Sequence, residues 1–331
     1  ALGSIITMTS TNWVMAWIGL ELNTLSIIPI ITKQQHPRST EAATKYFLTQ
    51  AAASATLLFA STTNAWLTGT WDITQLTPPS ACLMFTMAIS MKLGLAPLHF
   101  WLPEVLQGVP LQTALIITTW QKLAPMALLF LTYNSLSPSA LLLIGLLSTL
   151  VGGWGGLNQT QTRKIMAYSS IAHLGWMMTA MTLNPHLALL NLLLYLTMTL
   201  TTFILLELTS SKTIKDLTTA WTFSPSLPPL MMLLLLSLGG LPPLTGFMPK
   251  WLILQELTTN KLQTIAMVIA ISALLSLFFY LRLTYTTTLT AFPTTTVSNH
   301  KWRLSPKIPS TLLSTLLILS TSMLPMTPML L

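Results

Sequence analysis

The sequence predicts an all-α polytopic membrane protein. It reads as two inverted five-helix repeats, each with a broken fourth helix, plus a C-terminal helix, giving ten full spans and a truncated first helix. Three observations carry this reading. Only 22 of 331 residues are formally charged, 15 basic and 7 acidic, and 52% are hydrophobic, which excludes an ordinary soluble domain. The stretch GLAPLHFWLPEVL from Gly94 to Leu106 recurs 146 positions later as GLPPLTGFMPKWL from Gly240 to Leu252, with six of thirteen positions identical. The basic residues, finally, fall in alternate connections between apolar spans. A β-barrel would alternate polar and apolar residues, and these runs do not.

The chain opens ALGSIITM. Residues 1–8 are too short to cross about 30 Å of hydrocarbon and are read as the end of a truncated helix. No cleavable targeting segment is visible. Apolar windows delimited by Pro, Asn, Gly and charge then give spans near 12–32, 44–68, 80–106, 111–133 and 138–157. Five more lie near 165–183, 187–209, 226–257, 262–290 and 309–328. The first repeat covers residues 1–134 and the second 135–291, with a loop and final helix in 292–331.

Orientation follows from the connections. Lys33, Arg38, Lys45, Arg163, Lys164, Lys212, Lys215, Lys301, Arg303 and Lys307 alternate to one face, and Arg282 lies near enough to that face to snorkel. The opposite face receives Lys261 alone. The two broken segments stand five apart, an odd number, so they cross the membrane in opposite directions and the repeat is inverted. Proline removes a backbone donor and clashes with the preceding turn. The freed polar groups survive at membrane depth only beside protein or water, and matching breaks in two halves point to a transport path.

Lys92, Lys122 and Lys250 remain deep in spans, with Glu21 well inside its own helix. An ion at a helix centre costs about 2.5–3.5 kcal/mol, and folding alone requires none of them. Glu and Lys in one polar file can exchange protons, each site's occupancy being controlled by its neighbours. The competing reading for Glu21 and Lys92 is an ion pair that fixes helix packing, and for Lys250 a snorkelling side chain beside the break. Lys122, mid-span and followed by Pro125, has no carboxylate near it in sequence. His173 lies at about the depth of Glu21 in the equivalent helix, and His99 lies inside the first break; each is a relay candidate or a packing residue. Glu104 takes the place of Lys250 in the repeat alignment, close to a helix end. Glu207, Glu256 and Lys261 read as boundary charges, and the tryptophans and methionines as anchors and packing.

Cys82 is alone, so no internal disulfide is possible. No Cys, His and carboxylate cluster has metal spacing, so no metal, haem or iron–sulfur centre is expected in this chain. Neither a phosphate loop nor a dinucleotide fingerprint occurs. The net charge of +8 has no aromatic-interleaved basic face and does not indicate nucleic acid.

The segments KLGLAPLHFWLPEVLQG, LNQTQTRKIMAYSSIAHLGW and SLGGLPPLTGFMPKW, in this order and spacing, closely resemble the antiporter-like membrane subunits of respiratory complex I, the mitochondrial NADH-ubiquinone oxidoreductase. The resemblance covers the whole chain. It implies that Glu21 and Lys92 are the family's glutamate–lysine pair, Lys122 its central lysine and Lys250 the lysine of the second broken helix. It also implies proton translocation driven by electron transfer in partner subunits, which hold NADH, FMN, iron–sulfur clusters and ubiquinone. The chain would sit in the inner mitochondrial membrane among lipids and other complex I subunits, its basic loops facing the matrix. Relative to bacterial members it lacks the first three helices. A scaffold subunit of the same complex and a free-standing cation/proton antiporter are the rival functions.

Overall fold

The computed structural model describes residues 1–33, 35–222, 226–289 and 310–327. Lys301, Arg303 and Lys307, assigned above to the basic face, lie outside the described residues. The described chain is helical; Asn12 with Asp72 and Gln161 with Thr213 form isolated bridges. Two compact units result, one of residues 1–152 and 170–188, the other of residues 153–169 and 189–331.

The first unit begins with α1 (Leu2–Thr9) and α2 (Trp13–Ile31), whose first turn is capped by the Asn12 side chain accepting from the Val14 N–H at 3.0 Å. The two helices meet through glycines. A Cβ on Gly3 would stand 2.5 Å from the Gly19 carbonyl, and one on Gly19 would stand 2.8 Å from the Gly3 carbonyl, the close backbone approach that small residues allow between membrane helices. Helix α3 (Pro37–Thr68) starts seven residues before the expected 44, because His36 caps it and Pro37 opens it. Trp17 donates to the Ser54 carbonyl at 3.2 Å and so ties α2 to α3. The Trp13 ring meets Phe85 of α4 (Pro79–Leu93) edge-on at 5.1 Å.

The expected span 80–106 is interrupted after α4 and resumes as α5 (Trp101–Gly108). A second interruption was not expected: the span from 111 divides at Thr119 (φ −112°, ψ −71°) into α6 (Leu111–Thr118) and α7 (Trp120–Thr132). Then come α8 (Pro138–Gly156) and α9 (Thr162–Leu183), which share residues with both units.

Within the first unit, Gly145 and Gly175 hold α8 against α9. A Cβ on Gly175 would lie 2.8 Å from the Gly145 carbonyl and 2.7 Å from Thr149 Cγ2. Backbone cannot yield there as a flexible side-chain tip would, so Gly175→Val should cost at least about 1–3 kcal/mol through overpacking. The expected result is a lower yield of folded protein in detergent and a lower thermal unfolding midpoint than for Ala at exposed Leu189, 47% accessible.

The second unit holds α10 (Pro185–Leu208) from Leu189 on, a short α11 (Ile214–Thr218), α12 (Leu227–Gly239), α13 (Phe247–Thr259), α14 (Gln263–Leu289) and α15 (Ser310–Ser322). Trp221 donates to the Thr287 carbonyl at 2.6 Å and Arg282 Nη1 to the Leu157 carbonyl at 2.9 Å. Among the described residues five helical stretches are long and apolar enough to cross a membrane: Trp13–Ile31, Leu111–Thr132, Pro138–Gly156, Pro185–Leu208 and Gln263–Thr288. Shorter apolar helices are Pro79–Leu93, Leu227–Gly239 and Leu313–Ser322.

The breaks after α4 and α12 share one geometry. Gly94 (φ 77°, ψ 41°) and Gly240 (φ 78°, ψ 40°) end the two helices, a left-handed conformation open to glycine without penalty. Gly94 N–H meets the Ser90 and Met91 carbonyls, and Gly240 N–H meets those of Leu236 and Ser237. Leu95 N–H returns to Ser90 O at 2.9 Å and Leu241 N–H to Leu236 O at 3.3 Å, the six-residue closure of a Schellman turn. Seven residues separate the half-helices in both cases, 94–100 and 240–246, and each connection contains one cis peptide, Ala96–Pro97 and Pro242–Pro243.

Candidate functional site

In the first unit, α2, α3, α4 and α7 bring polar side chains into an apolar interior. Lys92, in the last turn of α4, is 7% accessible, and Lys122, in the first turn of α7, is 2% accessible. Both line a narrow cleft of about 10 Å³ with Asn23, Gln50, Tyr46 and Gln121. That is room for roughly one water. Lys92 Nζ and Asn23 Nδ2 are buried without a hydrogen-bond partner. A buried polar group without a partner is costly, so the cleft presents two donors to whatever acceptor enters it.

Glu21 stands on α2, part-buried, and its Oε2 also has no partner. Its charge reaches both Lys92 and Tyr46, yet no direct ion pair closes between Glu21 and Lys92. The pair is therefore an interaction across a gap. Gln121 Nε2 donates to the Asn23 carbonyl at 3.3 Å, fixing α7 on α2 one residue before Lys122. At α7, Pro125 removes the N–H that would meet the Gln121 carbonyl, and Lys122 N–H closes on Thr119 O three residues back, at 3.3 Å. Lys122 thus sits between an interruption and a proline.

The other first-unit candidates separate from this cluster. Glu104 is 52% exposed and pairs with Lys45 at 2.7 Å; Lys45 also holds Glu41 at 2.6 Å. The Lys45 ammonium, hydrogen-bonded to Glu41, keeps that carboxyl below its ordinary range. The bridge fastens α5 to α3, as do the edge-on Tyr46 and Trp101 rings at 5.8 Å. Trp101 Nε1 donates back to the Met91 carbonyl in the last turn of α4, at 3.0 Å. His99, 6% accessible, turns its Nδ1 to the Pro97 carbonyl at 3.3 Å and packs its ring on Phe100 at 4.3 Å. His173 is 6% accessible on α9, two residues before the Gly175 crossing with α8.

Lys250 belongs to the second unit. It is part-buried near the start of α13, and its Nζ donates to the Gly239 carbonyl at the end of α12, 2.7 Å away. Among the described residues no carboxylate pairs with it. Sequence reasoning missed Asn23, Gln50 and Gln121 as companions of the lysines, although Asn23 and Gln121 stand two and one positions from Glu21 and Lys122. It also missed Tyr280, whose side chain is 1% accessible and whose hydroxyl faces Ser169. Cys82 is buried and free, and among the described residues no group of His, Cys, Asp and Glu could hold a metal.

The arrangement resembles known proteins over nearly all of its length. The family described as NADH:quinone oxidoreductase/Mrp antiporter, TM, matches residues 10–276, and that described as NADH dehydrogenase subunit 2 C-terminus matches residues 277–331. The chain is 60% identical to NADH-ubiquinone oxidoreductase chain 2 of Varanus timorensis over 327 residues, 99% of this chain and 95% of that one. To the Xenopus laevis protein of the same name it is 58% identical, over 98% and 94% of the two chains. Among solved structures, a chain of respiratory complex I from Thermus thermophilus with bound aureothin superposes with TM-score 0.82 at 27% identity, covering 98% of this chain and 77% of that one. A chain of the Mrp complex from a Dietzia species shares the fold, with TM-score 0.83 at 15% identity, over 99% and 73% of the two chains.

Proposed function

Because the chain belongs to the NADH:quinone oxidoreductase/Mrp antiporter membrane family, we propose that it is a proton-translocating membrane subunit of respiratory complex I. Protons move through Glu21, Lys92 and Lys122 in one unit and through Lys250 in the other. The observation that carries this reading is the placement of two buried lysines, Lys92 and Lys122, on one water-sized cleft with the charge of Glu21 in reach. A fixed structural ion pair would be closed and dry. An open pair beside orphaned donors favours transfer through a captured water. Lifting one charge against 100 mV takes about 2.3 kcal/mol, so electron transfer elsewhere must change the occupancy of these sites by that scale.

The same proposal includes two inverted five-helix repeats and ten full spans. The matched turns at Gly94 and Gly240 support them. NADH, FMN, iron–sulfur clusters and ubiquinone belong to partner subunits, and the chain lies in the inner mitochondrial membrane with its basic connections toward the matrix. Glu104 is assigned to holding α5 on α3, through Lys45, and His99 to packing in the first break. His173 remains a candidate relay group.

Extraction in mild detergent tests the reading. The chain should elute in a large particle that reduces ubiquinone with NADH and, reconstituted in vesicles, acidifies one side. Recovery as a small particle that exchanges cations for protons without any redox partner would place it with the free-standing antiporters.

A further inference from the structure

A carbonyl inside a helix is met by the N–H four residues on, or three residues on in a tight last turn. For Gly239 those positions are Pro243 and Pro242, and neither has an N–H. The last carbonyl of α12 is thus denied both backbone partners by its own sequence. Lys250 Nζ takes their place at 2.7 Å. Gly240 makes the approach possible: a Cβ there would lie 2.9 Å from both Nζ and Cδ of Lys250 and 3.1 Å from Cε. Its φ of 78° also disfavours any other residue. The corresponding turn of the first break is built otherwise. There a Cβ on Gly94 would meet Leu102 and Trp101, and an indole rather than an amine reaches the end of α4.

We propose that the Gly239 carbonyl is a built seat for the Lys250 ammonium, and that Gly240, Pro242 and Pro243 are positioning residues for proton transfer through Lys250. The seat lies at the carbonyl end of α12, where the helix favours positive charge. A lysine that gives up its proton loses that attraction and is free to turn away, so seat and proton are linked. This inference rests on the proton-translocating reading of Lys250. Leu277 and the ring of Tyr280, both of α14, stand against Gly239, and the next titratable group after Lys250 along α13 is Glu256.

The test uses the assembled complex in sealed vesicles, with proton pumping followed against pH. Gly240→Ala, or Gly240→Asn, which tolerates the left-handed backbone but still carries a Cβ, should displace the pH of half-maximal pumping by about one unit or more. Electron transfer with uncoupler should keep its wild-type profile. Gly69→Ala supplies the control, since Gly69 has φ 73° with nothing within 4 Å, and it should leave the pumping profile in place. An unmoved profile in both Gly240 variants, with Lys250→Met inactive, overturns the seat and leaves the role of Lys250 standing. Full pumping by Lys250→Met overturns that role instead. Should neither Gly240 variant assemble, maps of the native complex decide. Nζ within about 3 Å of the Gly239 oxygen in at least one state supports the seat, and Nζ remote from it in every state overturns it.

Discussion

Lys122→Met should cut coupled proton pumping by roughly tenfold or more, the scale of a lost proton-transfer group, while the complex still assembles. Methionine keeps the length and flexibility of the lysine stem, so the packing around a side chain only 2% accessible is preserved. An apolar side chain of similar volume also avoids the cost of holding an ion at that depth. A scaffold role predicts the reverse order, with assembly failing before transport. Native gels and proton uptake per NADH oxidised, measured on the same membranes, separate the two. Undiminished pumping per assembled complex would remove Lys122 from the pathway.

Much of this site is legible in the sequence because ions are costly at membrane depth. Lys92 and Lys122 stand out in apolar runs, and the structure buries both on one cleft. The two breaks are legible for a related reason: Gly and Pro recur at fixed offsets, and the same left-handed turn follows at Gly94 and Gly240. What sequence leaves unread is set by contacts between distant residues. The interruption at Thr119 has neither Gly nor Pro to announce it. Glu104 aligns with Lys250, but its partner Lys45 is 59 positions away and draws it to an exposed bridge. The open gap between Glu21 and Lys92 is a matter of ångströms set by helix packing, which no residue pattern encodes. The extension of α3 back to Pro37 depends on His36 as a cap, and histidine is not among the residues usually chosen for that position.

The gap between Glu21 and Lys92 leads to the second large effect, which is non-additive. Glu21→Gln and Lys92→Met should each reduce pumping by roughly tenfold, and the double variant should be no worse than the more severe single one. Opposite charges roughly 4–8 Å apart interact by about 2–4 kcal/mol at an effective dielectric constant near 20. That matches the scale of about 2.3 kcal/mol needed to move one charge against 100 mV, so changing the occupancy of one member can drive the other. Neutralising either partner removes this lever, and neutralising the second then removes nothing more. Each single variant also leaves the other member of the pair uncompensated, whereas the double removes both. Assembly should accordingly recover in the double variant relative to either single one. A double-mutant cycle on pumping per assembled complex measures the coupling. Losses that simply multiply, to about a hundredfold, would mean that Glu21 and Lys92 serve separate steps, and the electrostatic trigger would have to be sought elsewhere in the chain.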